Sequence, residues 1–141
     1  MSDKGIRISL AIVNFIEAAS AFLGAVGLVV GFMNIPTSVL IGTPFADFTV
    51  PALLLGGVVG GSALVAGVIT TFASRWLGAF ASAVAGCITV GWLTIEIVMI
   101  GLGSWVQIAY LLVGLLMIAL AGLFWKAAPA STPAIRSHQL V

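Results

Sequence analysis

Charge is what this 141-residue chain has least of: 6% of its residues are Asp, Glu, Lys or Arg, whereas 62% are hydrophobic. A soluble domain carries roughly 25% charged residues, because it must cover its core with groups that water tolerates. We therefore predict an integral membrane protein. The formal net charge is +1 and the sequence has no basic patch to meet phosphates, so we expect no nucleic-acid partner.

Cysteine and histidine are nearly absent as well. Cys87 is the only cysteine, which excludes a disulfide within one chain and a CxxC redox pair. His138 is the only histidine and stands close to the C-terminal end of the sequence. A single chain therefore lacks the residues for a bis-histidine haem within the bilayer, a zinc site or a histidine-based catalytic triad. We predict no metal and no cofactor.

Four long apolar runs dominate what is present. A helix needs about 20 apolar residues to cross a bilayer, and the four predicted spans are residues 8–32, 50–72, 77–100 and 105–125. The sequence predicts an all-α four-helix membrane bundle over residues 1–126, followed by a mobile cytoplasmic tail at 127–141. The basic start could be mistaken for a signal peptide, but the run behind it is too long and contains Glu17, so we interpret it as a retained span.

The basic residues predict the orientation. All five flank spans on the same predicted side of the membrane: Lys4, Arg7, Arg75, Lys126 and Arg136. By the positive-inside rule both termini are expected in the cytoplasm of a bacterial cell, with the bundle in the inner membrane. The long loop at 33–49, which carries Asp47, then lies outside.

Each span carries a stripe of small or polar residues at helical spacing. Because lipid offers no hydrophobic drive between helices, small residues that allow close approach are typical of helix contacts in membranes. We expect packing inside the bundle through Gly57, Gly60, Gly61, Gly78, Ser82 and Gly114. Overlapping small-xxx-small pairs in span two leave dimerisation as the alternative.

Two polar groups in span one are the first candidate site. Asn14 and Glu17 share a face of the predicted helix. An acid in the middle of a membrane costs about 2.5–3.5 kcal/mol on insertion scales, so we expect Glu17 to face the bundle interior. Two interpretations stay open: a hydrogen-bonding strut that is protonated, or a functional site for a proton or cation.

A second candidate site surrounds Glu96 near the outer end of span three. Trp92 lies one turn below it, and the tight hairpin to span four brings Gln107 and Tyr110 to the same level. We also expect Asp47 to overhang this cluster from the loop. The cluster is either an interhelical clamp or a shallow site for a cation or amphiphile, since acids and aromatic rings together suit positive ligands.

The two acids cannot form a catalytic pair. Glu17 and Glu96 are expected about 15 Å apart along the membrane normal, from a helical rise of about 1.5 Å per residue. A proton relay between them would need stepping stones such as Ser20 and Thr89.

The stretches "GTPFADFTVPALLLGGVVGGSALVAG" and "IEIVMIGLGSWVQIAYLLVGLLMIALAG" resemble a group of small uncharacterised bacterial membrane proteins. In that group a Gly-Ser/Thr-Pro-Phe loop precedes span two, and a Glu-x-x-x-Ile-Gly element closes span three. The resemblance implies the four-span architecture and brings no activity. A weaker similarity links Glu17 to the span-one glutamate of small multidrug resistance transporters, and the size and span count to DoxX-like proteins.

Three functions are compatible with these residues. The first is a non-catalytic accessory or structural subunit, whose partners are the lipid bilayer and other membrane subunits or further copies of itself. The alternative is a proton-coupled transporter of a small cationic or lipophilic molecule that uses Glu17. The third is an enzyme acting on quinone or lipid through Glu96 and Tyr110.

Overall fold

The computed structural model describes residues 2–127 and contains four long helices. They are α1 (Asp3–Val30), α2 (Thr49–Phe72), α3 (Arg75–Ile100) and α4 (Trp105–Lys126), and each is long and apolar enough to cross a membrane. A short 3-10 turn, Thr37–Leu40, lies in the α1–α2 loop. The described part of the chain is all-helical, which confirms the predicted fold class of a multi-pass membrane bundle. Beyond Ala127, the predicted tail lies outside the described residues.

Serine side chains determine where three of the helices begin. Ser2 accepts a hydrogen bond from the N–H of Gly5, and Ser74 and Ser104 cap α3 and α4 in the same manner. Such caps satisfy N–H groups that have no partner in the first helical turn. Because of Ser2, α1 begins well before the predicted start at residue 8. It ends earlier than predicted because Gly31 adopts a left-handed conformation, with φ of 77°.

The helices form a four-cornered antiparallel bundle. α1 and α3 each pack along both α2 and α4, and they also meet each other across the bundle centre. The links of two and four residues, 73–74 and 101–104, keep α2, α3 and α4 as neighbouring antiparallel helices. The residues that α1 and α3 direct toward each other therefore lie in the middle of the protein.

Glycine allows the helix backbones to approach closely at two crossings. A Cβ atom on Gly86 of α3 would lie 2.9 Å from the carbonyl oxygen of Gly114 on α4, and one on Gly78 would lie 3.0 Å from the Cα atom of Thr70 on α2. Real Cβ atoms do not approach backbone this closely without displacing it. Close packing at small residues, together with interhelical hydrogen bonds, drives helix association in lipid.

Helix α2 departs from regular α-helical geometry, and this corrects one prediction. From Leu54 to Gly60 its hydrogen bonds follow the π-helical pattern, which adds about one residue to the turn and shifts the register of the buried face. Gly60 packs on Phe22 of α1, as Gly56 packs on Ala25. Gly57 and Gly61, expected inside the bundle, instead face outward, and a Cβ atom on either would meet nothing within 4 Å.

The α3–α4 crossing yields the first prediction. Gly86→Ala should lower the free energy of unfolding by about 1–3 kcal/mol, because the new methyl group collides with backbone that cannot give way. Gly91→Ala is the matched control on the same helix, since its Cβ atom would meet nothing within 4 Å. Reversible unfolding in mixed detergent micelles, followed by circular dichroism, measures both. Equal effects of the two substitutions would contradict the close crossing.

Candidate functional site in the bundle centre

Five buried polar side chains form a network where α1 faces α3. Glu17 is 1% exposed, and the others have no exposed surface: Asn14, Thr70, Ser82 and Thr89. Asn14 and Glu17 are three residues apart on one face of α1, while Ser82 and Thr89 are two turns apart on one face of α3. We call this set the buried network. Its position explains how an apolar chain accommodates polar groups at mid-membrane depth.

The first part of the buried network joins three helices. The Asn14 Nδ2 atom donates to Ser82 Oγ at 2.9 Å and to the Leu10 carbonyl oxygen at 2.9 Å. The Ser82 hydroxyl lies 3.0 Å from the hydroxyl of Thr70 on α2, which also lies 3.3 Å from the carbonyl oxygen of Gly78. Asn14 Oδ1, by contrast, is buried and has no hydrogen-bond partner among the described residues.

The second part contains the carboxyl group of Glu17. The Thr89 hydroxyl lies 3.1 Å from Glu17 Oε1 and 3.1 Å from the carbonyl oxygen of Ala85. Within residues 2–127 this hydroxyl provides the sole hydrogen bond to the carboxyl. Glu17 and Asn14 are thus both held by α3, Glu17 through Thr89 and Asn14 through Ser82.

An arginine continues the polar chain to the end of the bundle where α1 begins. Arg7 donates to the carbonyl oxygens of Thr70 and Ala73 at 2.7 and 3.0 Å, and so caps the C-terminus of α2. Its guanidinium lies 5.1 Å from the ring centre of Phe124, and that of Arg75 lies 5.6 Å from the same ring. Arg75 also forms an ion pair with Asp3. Sequence reasoning used these arginines for orientation alone, although Arg7 precedes Asn14 by two helical turns on one face.

At the opposite end, Gln107 connects α3 to α4. Its Nε2 atom donates to Glu96 Oε1 at 3.0 Å, and its Oε1 atom accepts from the backbone N–H groups of Gly103 and Ser104 at 3.0 and 3.2 Å. Gln107 therefore belongs to a capping box and to an interhelical clamp at once. Trp92 is half-buried on α3, one turn before Glu96.

Asp47 takes a different role from the one expected. It is exposed, and its Oδ1 atom accepts the backbone N–H of Thr49 at 2.9 Å, at the start of α2. This hydrogen bond lowers the pKa of the Asp47 carboxyl. Asp and Asn commonly form such a contact with the backbone two residues on, so the carboxylate is engaged in ordering the loop rather than in the cluster around Glu96.

Tyr110 lies on α4, and its side chain reaches toward α1. Its hydroxyl approaches α1 beside Gly24, 3.8 Å from where a Cβ atom on that glycine would stand, and Ser20 lies one turn away on the same helix. Ser20 Oγ in turn donates to the backbone carbonyl oxygen of Glu17 at 3.0 Å. Polar groups therefore recur from one end of the bundle to the other, in hydrogen-bonded groups with gaps between them. We call this series the polar file: Arg7, Thr70, Ser82, Asn14, Glu17, Thr89, Ser20, Tyr110, Glu96 and Gln107.

Two apolar surface grooves lie away from the polar file. One is an apolar groove between α1 and α2 that Phe22, Val26 and Gly57 help to line. The other is an apolar groove between α2 and α3, where Gly61 and Phe80 contribute to the wall. Both open on the face that lipid or a membrane partner would cover.

Comparison of this chain with protein-family models, with curated proteins and with solved structures finds no match. The resemblance to small four-span bacterial proteins stays a prediction, and function must be argued from the contacts themselves.

The contact between Asn14 and Ser82 yields a prediction for a double-mutant cycle. Asn14→Ala and Ser82→Ala should show a coupling energy of about 0.6 kcal/mol, and at most about 1.7, the range found for hydrogen bonds between membrane helices. Unfolding in mixed micelles measures it. The control pair is Asn14→Ala with Thr94→Ala, because Thr94 is exposed and its hydroxyl donates to Val90 on its own helix. A coupling no larger than the control value would contradict a direct interhelical bond.

Proposed function

We propose that this chain is a non-catalytic structural or accessory subunit of the bacterial inner membrane, which packs through helix α2 against another membrane helix. The observation that carries the proposal is the outward-facing pair Gly57 and Gly61, four residues apart, where an added Cβ atom would meet nothing within 4 Å among residues 2–127. The partner is a transmembrane helix of a second copy or of another subunit.

Energetics support this use of α2. A glycine in a helix costs about 1 kcal/mol relative to alanine, and neither Gly57 nor Gly61 offsets that cost through a contact within the bundle. A small-xxx-small pair on the lipid-facing side permits close approach of a second backbone. Gly57 borders the groove between α1 and α2, and Gly61 borders the groove between α2 and α3. A partner helix placed on these glycines would find a depression on each side.

Substitution of the outward glycines tests the proposal. Gly57→Leu and Gly61→Leu should each reduce the oligomer or complex at least about tenfold, equivalent to about 1.4 kcal/mol, because the larger side chain holds the partner backbone away. Native mass spectrometry of the protein, extracted from its own membrane in mild detergent, measures the assembly and separates a second copy from another subunit.

Gly122→Leu is the matched control, because Gly122 is also exposed and unpacked but stands on α4, apart from both grooves. A monomer without partners in the unsubstituted protein would refute the proposal. Equal loss of assembly in the Gly122 variant would refute the role of α2.

We further propose that both termini face the cytoplasm. In support, Arg7 and Arg75 lie together at one end of the bundle, at the level of Ala73 and Phe124. Lys4 and Lys126 stand at the same ends of their helices. Excess of basic residues on one side is typical of the cytoplasmic face.

Cysteine labelling tests this orientation. In a Cys87→Ser background, Asp47→Cys should react with a membrane-impermeant maleimide in intact spheroplasts, whereas Lys126→Cys should react only after lysis. Both positions are exposed, so neither is shielded by the fold. The reverse labelling pattern would place the termini outside.

A second candidate function is favoured by the interior of the bundle. A proton-coupled transporter needs a buried group that binds and releases protons. Glu17 is 1% exposed and lies one helical turn from Asn14, whose Oδ1 atom has no partner among the described residues. Acids inside a membrane are commonly part of proton relays or ion pathways. This candidate requires a proton on Glu17 that exchanges with water, and full transport in a Glu17→Gln variant would contradict it.

A further inference from the structure

A count of hydrogen-bond donors in the buried network leaves one acceptor unpaired. Asn14 Nδ2 already donates to Leu10 and Ser82, while Asn14 Oδ1 receives nothing from the described residues. The Thr89 hydroxyl has one proton and two acceptors, each 3.1 Å away: the Ala85 carbonyl oxygen and Glu17 Oε1. The network is therefore short of a donor at the place where Asn14 and Glu17 are adjacent on α1.

An ionised Glu17 would worsen this shortage, because a carboxylate accepts hydrogen bonds and donates none. Asn14 Oδ1 would stay unpaired, which is costly for a buried polar group, and one shared hydroxyl would have to stabilise a full negative charge. A neutral carboxyl group supplies one O–H donor. That donor can serve Thr89 Oγ1 while Thr89 donates to Ala85. Asn14 Oδ1, one turn away on the same face of α1, is the acceptor that still lacks a donor.

We propose that the buried network is a binding site for a single proton, held on Glu17 between Asn14 and Thr89, and that this proton exchanges with water at the Glu96 end of the bundle through Ser20 and Tyr110. This deepens the transporter candidate but does not depend on it. It is also independent of assembly through α2, since α2 contributes only Thr70 to the network.

The route follows the polar file. Ser20 stands one turn beyond Glu17 and donates to its backbone carbonyl oxygen, and the Tyr110 hydroxyl approaches α1 one turn further on, beside Gly24. In each transfer the oxygen of Ser20, and then that of Tyr110, accepts a proton from one side and releases its own proton to the other. Both hydroxyl groups therefore remain neutral and the charges balance. Glu96 is half-buried near the C-terminal end of α3, and we place the exchange of the proton with water there.

The charged and titratable groups around this site are few. On α4 the one that faces Glu17 is Tyr110, and Glu96 of α3 lies beyond it. Helix α2 has no titratable side chain along its length. On α1 the nearest other charge is Arg7, which is engaged with the carbonyl oxygens that end α2. The protonation state of Glu17 should therefore be measurable by itself, because no second acid is in contact with it.

Infrared spectroscopy of the full chain in lipid nanodiscs tests the site. At pH 7 the unsubstituted protein should show the C=O stretching band of a protonated carboxyl group. Glu17→Gln should abolish the band, whereas Glu96→Gln should leave it. Asn14→Ala should shift its frequency, because that variant removes a hydrogen-bond acceptor and leaves Glu17 in place. Should Glu17→Gln fail to fold, the frequency shift of the band in Asn14→Ala tests whether the proton is held on Glu17.

Exchange into D2O tests the route. The band moves on deuteration, and the rate of that change should fall about tenfold in Tyr110→Phe, equivalent to about 1.4 kcal/mol. Ser62→Ala is the control, because Ser62 bonds to Val59 on its own helix and lines the groove between α2 and α3. An unchanged rate in Tyr110→Phe would overturn the route.

Two other outcomes would overturn the site itself. One is the absence of a protonated band at pH 7, or its persistence in Glu17→Gln. The other is a loss of the band when sodium chloride replaces choline chloride at fixed pH, since a metal cation held by Asn14 and Glu17 would then be the ligand instead of the proton.

Discussion

The hydrogen bonds between α1 and α3 are the constraint on which the bundle depends. Lipid does not favour burial of apolar helix faces against each other, so direction must come from packing and from polar contacts. Asn14 with Ser82 and Glu17 with Thr89 join the two helices across the centre, where a shift by one residue along either helix would break both pairs. α2 and α4 then fill the remaining corners, and Thr70 ties α2 to the same network.

Polar contacts at the centre in turn require the helix backbones to approach one another closely, which glycine allows. Gly78 and Gly86 bring α3 against α2 and α4, and Gly60 brings α2 against α1. The ends are fixed separately, by Arg7 at one and by Gln107 at the other. Because each end carries its own interhelical bond, loss of a single central contact should weaken the bundle without unfolding it.

Much of this could be predicted from the sequence, and what could not has physical reasons. Apolar run length indicates four spans, and helical spacing places Asn14 and Glu17 on the interior face. Side-chain periodicity, however, assumes 3.6 residues per turn, so the π-helical stretch of α2 turned Gly57 and Gly61 outward and Gly56 inward, while Gly60 packs inside as predicted. The hydrogen bonds of Arg7 and Asp47 with the backbone could not be predicted from residue spacing, because every residue offers the same backbone groups.

The change of register in α2 leaves two glycines on its outer side. Had Gly57 and Gly61 faced inward, α2 would have offered no such pair to a partner helix. As it is, α2 presents outward glycines to the membrane and only Thr70 to the polar file. A partner helix on the outer face would therefore leave the Asn14–Glu17 pair untouched. The proposed assembly and the proposed proton binding therefore rest on different residues of this small chain, and neither proposal excludes the other.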